Sequence, residues 1–402
     1  MLISRHVRET MAPPLTALTA RAAERRAAGR DLYVLAQAMV DYAPPPVFLR
    51  AIVEGVRAEG TPVHRYTPDP GLPRLRAALG VYLARAFGID CDPERELLVT
   101  PGANQASYEA LSVLLAPGDE ALLLSPWYFN HEMTVRLLGG RVRAVEARPN
   151  AGFVPSVAEI RDAWTPRLRV LALVNPSNPT GARYPDAWVR ELGAALAADR
   201  RWDDVWILSD QTYQELFYSG RQPLSPAALP ALSGRTVTVG SFSKSLALAG
   251  WRLGFLAAPA ALVNEILKVH DSSVICAAHA AQYALARTLE ARDEVEDYCA
   301  QQRLRLARRR DALLAPLRAN GRFEIATPDG ACFAFVGLPA AVASGEQFAT
   351  QLLEGHDVVA VPGAPFGPAW DRYLRLSFGV GSPARLAAAG ERIATALDHA
   401  LT

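Results

Sequence analysis

Residues 236–258 read TVTVGSFSKSLALAGWRLGFLAA, two apolar strand candidates, TVTVGSF and RLGFLAA, on either side of a polar loop that carries Lys244. Short apolar runs bounded by Gly and Ser are the pattern of buried strands. The same pattern recurs upstream in ELLVT (96–100), EALLLSP (120–126), RVRAVEA (141–147), RVLALVNP (169–176) and DVWILSD (204–210). Helical patterns such as NQASYEALSVLL (104–115) and DAWVRELGAALAAD (186–199) lie between them. That alternation predicts an α/β layered fold with a mainly parallel central sheet flanked by helices. Strands covered on both faces are nearly all apolar, as these are.

Composition sets the bounds around this core. The chain has 402 residues, 50% hydrophobic and 21% charged, the balance of a soluble globular protein. The length predicts one large domain and one smaller one. A net charge of +1 leaves no electrostatic footprint for nucleic acid or an anionic membrane. The four cysteines (Cys91, Cys276, Cys299, Cys332) are scattered and form no CxxC pair, which suits reduced thiols in a cytoplasmic protein. No apolar run reaches the roughly 18 to 20 residues of a membrane span. Near the start, LTALTARAAERRAAGRD (15–31) reads as an amphipathic helix leading into the strand candidate DLYVLAQ, and its acids argue against a transit peptide.

Towards the end the texture changes. A long charged helix is expected over residues 287–320, then a smaller α+β unit with strand candidates GACFAFVGL (330–338) and YLRLSF (373–378). The basic run RLRLARRRD (303–311) follows Glu290, Asp293, Glu294 and Glu296, the mark of a solvated helix face.

In doubly wound folds ligands bind beyond the carboxyl ends of the strands, so the informative residues sit where apolar runs give way to loops. In TPGANQA (100–106) a Gly at a strand-to-helix turn offers a helix N-terminus suited to a phosphate, although such a Gly also serves a plain turn. NPSNPTG (175–181) is an ordered turn whose Asn amide can reach a ligand oxygen. SDQTY (209–213) puts Asp210 at the buried end of a core strand, where a carboxylate needs a partner such as a protonated cofactor ring nitrogen; capping the next helix is the plainer alternative. SFSKSLALAGWRLGF (241–255) places Lys244 between hydroxyls in apolar surroundings, where desolvation lowers the amine pKa and makes it a nucleophile for a Schiff base. Arg252 follows and, with Ser241 and Ser243, could clamp a phosphate. In YLRLSFG, Arg375 points away from Leu374 and Leu376 on a strand expected to be half-buried, and suits either a carboxylate ligand or a structural ion pair.

Taken together, these motifs resemble the class I/II aminotransferases, pyridoxal 5'-phosphate (PLP) enzymes of fold type I, over nearly the whole chain. The resemblance implies that Lys244 carries PLP as a Schiff base and then moves the substrate proton, that Asp210 pairs with the pyridine nitrogen, and that Asn178 and Tyr213 bond the ring 3'-oxygen. Tyr128, in SPWYFNH, would stack on the ring, and His131 would support the aspartate from behind. Gly102, Ala103, Asn104, Ser241, Ser243 and Arg252 would form the phosphate cup. Arg375 would bind the substrate α-carboxylate, with Asn178 and Ala38 beside it. RYTPDPGLPRLR (65–76) resembles the segment whose Tyr, here Tyr66, reaches the partner subunit's phosphate, which implies a homodimer with shared active sites. The resemblance also implies a large PLP-binding domain over residues 47–282 and a small domain built from residues 1–46 and 283–402.

One segment departs from the family. LAQAMVDY (35–42) has Ala38, Met39 and Val40 where members often have Gly and Pro in LGxGxPDF. The leading reading is transfer of an amino group from an α-amino acid to a 2-oxo acid. The alternatives are elimination, cyclisation or oxidation of a specialised amino acid on the same scaffold, and a PLP-sensing domain without catalysis. A nicotinamide dehydrogenase needs a GxGxxG turn, which the sequence lacks.

Overall fold

The computed structural model describes residues 3–58, 60, 62–220 and 222–402. Its centre is a seven-stranded sheet of β2 (Leu97–Thr100), β3 (Glu120–Ser125), β4 (Arg141–Glu146), β5 (Leu168–Val174), β6 (Trp206–Asp210), β7 (Thr236–Ser241) and β8 (Gly254–Ala257), in the order β2-β8-β7-β6-β5-β3-β4. Every neighbouring pair is parallel except the two made by β8, which runs against the rest. Each strand candidate of the central region is therefore a strand.

Alternation decides which face each side chain serves. Ala121 and Leu123 enter one apolar cluster, under the helices Ala103–Leu114 and Ala260–Ser273; Leu122 and Leu124 enter another, under the helix Asp186–Ala197. Both faces are filled, so β2 and β7 are buried at every position.

A second sheet, β12-β13-β10-β9, comprises β9 (Glu324–Ile325), β10 (Phe333–Gly337), β12 (Val361–Pro362) and β13 (Tyr373–Ser377), all antiparallel. Beside it β1 (Tyr33–Val34) pairs in parallel with β11 (Val358–Val359). The helix of the N-terminal segment spans Pro14–Ala27.

Three expectations change. DLYVLAQ shortens to the two residues of β1, because beyond Leu35 the backbone carbonyls meet side chains rather than a strand, Arg375 at Ala36 and, just past the segment, Lys244 at Ala38. The single helix over 287–320 is two, His279–Glu290 and Arg292–Asn320, broken at Ala291 (ψ 60°). The first packs on the helices Pro46–Arg57 and Pro73–Phe87, the second on Pro383–Leu401, so the chain turns between two sets of partners at a residue whose type gives no sign of it. YLRLSF is buried rather than half-buried: β13 lies between β10 and β12, and Arg375 is 0% exposed.

Candidate active site

The sheet register brings the motif turns together. Asp210, the last residue of β6, is level with Val174 on β5 and Val239 on β7. Thr100 and Ser241, ending β2 and β7, both lie beside Gly254, which opens β8. The loops leaving these strands surround a cleft of about 330 Å³.

Asp210 is 4% exposed. Its Oδ1 accepts the Thr212 backbone N–H at 2.9 Å, and its Oδ2 lies 3.4 Å from Nε2 of His131. Among the described residues no helix begins directly after Asp210, where the chain enters turns, so the capping alternative does not apply. Of the two turn asparagines, Asn175 is structural, its Oδ1 accepting the Tyr184 N–H at 2.9 Å, whereas Asn178 faces the cleft and accepts from Nη1 of Arg375 at 3.1 Å.

Lys244 donates from Nζ to the Ala38 carbonyl, and its own carbonyl accepts the Tyr42 hydroxyl at 2.7 Å. Burial pulls the amine below the ordinary lysine range, with the charges of Arg252 and Arg375 acting in the same direction. Arg252 has φ 53°, and its two terminal nitrogens donate to the carbonyls of Pro101 (2.9 Å) and Ala249 (3.0 Å). That places the guanidinium against Gly102, which has φ +90°; a Cβ there would stand 2.5 Å from Arg252 Nη2. Gly102 precedes the helix Ala103–Leu114, whose first N–H groups are free of intrahelical partners. Ser241 Oγ accepts the Ser243 backbone N–H at 3.3 Å.

Tyr128 donates to Asn104 Oδ1 at 3.1 Å, accepts from Asn130 Nδ2 at 2.9 Å, and meets the His131 ring edge-on. Burial, then the Asp210 charge, pushes its phenol up to about 12. The Tyr213 ring lies edge-on to Phe333, and burial raises its phenol well above the ordinary range. Arg375 donates from Nη2 to the Ala36 carbonyl at 2.6 Å and packs over the rings of Phe333 and Phe366 at 4.8 and 5.3 Å. Burial lowers its pKa.

Ala38, Ala103, Asn104, Tyr128, Asn178, Asp210, Tyr213, Ser241, Ser243, Lys244, Arg252 and Arg375 thus line one cleft. Gly102 stands directly behind Arg252, and His131 behind Asp210. Tyr66 is not in this cleft; it is 77% exposed. Three cations and one carboxylate line the walls, a surplus suited to an anionic ligand.

Residues 30–393 match the family model for aminotransferase class I and II. The chain belongs to this family. Among the relatives of this aminotransferase is the aspartate/prephenate aminotransferase of Thermus thermophilus, 33% identical over 99% of each chain. A putative aminotransferase of Bacillus subtilis is 35% identical over 78% of this chain and 79% of its own. The solved aspartate aminotransferase of Thermus thermophilus with maleate superposes with a TM-score of 0.91, at 32% identity, covering 98% of this chain and all of that one.

Sequence reasoning missed several residues lining this aminotransferase's cleft: Pro13, Pro14, Leu15, Phe129, Asn130, Val174 and Thr212. Thr212, Phe129, Asn130 and Val174 carried a signal, since they sit inside the quoted stretches SDQTY, SPWYFNH and RVLALVNP. Oγ1 of Thr212 is buried with no hydrogen-bond partner among the described residues, as is Nε of Arg375. The prolines and Leu15 lie far along the chain from every motif.

Proposed function

We propose that the protein moves an amino group from an α-amino acid to a 2-oxo acid with PLP held at this cleft. One observation carries the reading: an amine of lowered pKa (Lys244), a buried carboxylate backed by the His131 ring (Asp210) and a fully buried guanidinium (Arg375) face one cavity. The donor set fits the cofactor. Asp210 answers a pyridine N–H, Asn178 and Tyr213 a phenolic oxygen, Lys244 an aldehyde, and Ser241, Ser243, Arg252 and the helix start at Gly102, Ala103 and Asn104 a phosphate. The unpartnered Thr212 hydroxyl and Arg375 Nε are polar atoms that a ligand would satisfy.

The bound cofactor supplies an electron sink for the pair left when the substrate Cα loses its proton. The chain's residues do the rest. Asp210 holds the proton on the ring nitrogen, and His131 and the Thr212 N–H hold Asp210. Tyr128 covers the ring. Lys244, whose pKa burial lowers, takes the proton from Cα. Arg375 fixes the α-carboxylate with Asn178, so that Cα is presented to Lys244. The cleft lies between a large domain (47–282), which supplies Lys244, and a small one (1–46 and 283–402), which supplies Arg375.

Exposed Tyr66 supports a homodimer in which it reaches the partner's phosphate site. The four unpaired cysteines support a cytoplasmic location. Among the described residues no helix is long and apolar enough to cross a membrane.

Cofactor-loaded protein given one amino acid and no acceptor should release one equivalent of 2-oxo acid and retain the nitrogen. A 2-oxo acid added afterwards should leave as an amino acid carrying that nitrogen. Release of ammonia instead would replace transfer by elimination or oxidation.

A further inference from the structure

We infer that the amino acid accepted by this cleft carries an uncharged side chain, an inference resting on the proposed amino transfer at the same site. Every charged side chain of this chain that lines the cleft already has a protein partner, with Nε of Arg375 left for the α-carboxylate. Arg375 is held by Asn178 and Ala36. Arg252 is held at Pro101 and Ala249 beside Gly102, Lys244 lies at Ala38, and Asp210 faces Thr212 and His131. Among the lining residues no further Lys, Arg, Asp or Glu is left to meet a second charge on the substrate.

What adjoins the carboxylate-binding guanidinium is apolar. Arg375 packs over Phe366, and Phe366 packs on Phe129 with ring centres 5.5 Å apart. Leu15 packs on the same cluster, and Pro13 and Pro14 extend this wall along the cleft. Ala38 also lines the cleft, packed on a separate apolar cluster. Asn130 is polar, but its amide nitrogen is committed to the Tyr128 hydroxyl. A distal carboxylate or ammonium desolvated against this wall finds no counter-charge, which penalises it strongly against an aliphatic or aromatic side chain. The short helix Arg5–Glu9 carries Arg5, His6 and Arg8, yet Arg5 is paired with Glu9 and none of the three lines the cleft.

Single-turnover rate constants of the cofactor-loaded protein test this, with leucine and phenylalanine set against aspartate, glutamate, lysine and arginine. No acceptor is present, so only the donor side chain is read. The better uncharged substrate should exceed each charged one by at least about tenfold. Any charged amino acid reacting at or above the uncharged pair overturns the inference, because a counter-ion must then enter from the partner subunit or the first helix. If no amino acid of either class yields 2-oxo acid, the amino-transfer reading itself has failed. Leu15→Arg should raise the aspartate-to-leucine ratio at least about tenfold. An unchanged ratio in a variant still active on leucine would remove Leu15 from the substrate wall.

Discussion

Nη1 of Arg375 lies 3.1 Å from Oδ1 of Asn178, joining a strand of the small sheet to a turn of the central one across 197 residues of chain. The guanidinium is completely buried with Nε unpartnered, so an incoming carboxylate meets a fixed cation with a free donor. Arg375→Ala should lower kcat/KM by roughly ten- to a hundredfold, the about 1.5–3 kcal/mol of a charged hydrogen bond. Steady-state kinetics with the best amino acid substrate checks this; an unchanged value would place the carboxylate elsewhere.

Most of the cleft was legible in the sequence because its groups sit in turns, where residue type is constrained locally. Lys244, Asp210, Asn178 and Gly102 each lie within a few residues of a strand end that apolar patterning marks. What was not legible arises between segments far apart in the chain. Nothing in LAQAMVDY reveals that the Ala36 carbonyl holds Arg375 and the Ala38 carbonyl holds Lys244, since a backbone carbonyl carries no sequence signal. The break at Ala291 hides in the same way, in a good helix former, because packing partners impose it. The full burial of Arg375 was missed since alternation along a strand reports one covered face and not a second.

The lowered pKa of Lys244 has a signed consequence for the cofactor-free protein. Between its depressed folded value and the unfolded value near 10.5, the unfolded chain holds a proton that the folded chain has released. Stability therefore rises with pH across that window and is lost as pH falls through it. Relative to Lys244→Met, the wild-type apoprotein should gain stability as the pH is raised from neutrality towards 10.5, measured by urea midpoints. Parallel curves for the two proteins would mean that the amine is not desolvated. The same variant should lack turnover.

Gly102→Ala tests the phosphate cup without touching a charge. The residue has φ +90°, and the new methyl would stand 2.5 Å from Arg252 Nη2, the far end of a flexible side chain. The guanidinium should give way, and the turn should be strained as well, because φ +90° is a conformation that alanine rarely adopts. Folding should persist while PLP affinity falls at least about tenfold, the loss of one charge-assisted bond. Absorbance titration of the apoprotein with PLP measures it, and wild-type affinity would exclude Arg252 from the cup.

Beneath the same helix lies a buried pair that no motif announced. Nδ1 of His270 is 2.9 Å from Oε1 of Glu109, both side chains are 0% exposed, and Gln105 donates to the same oxygen. Glu109 Oε2 and His270 Nε2 have no partner among the described residues, so the pair has little reserve. His270→Leu removes a bonding partner from a carboxylate that cannot reach water, at a cost of about 1–3 kcal/mol. Replacing both residues by leucine should recover most of that loss, because a buried pair is often matched by apolar packing of similar volume. Urea unfolding of the two variants separates the outcomes. A double variant no more stable than His270→Leu would show that Gln105 alone satisfies Glu109 once His270 is gone.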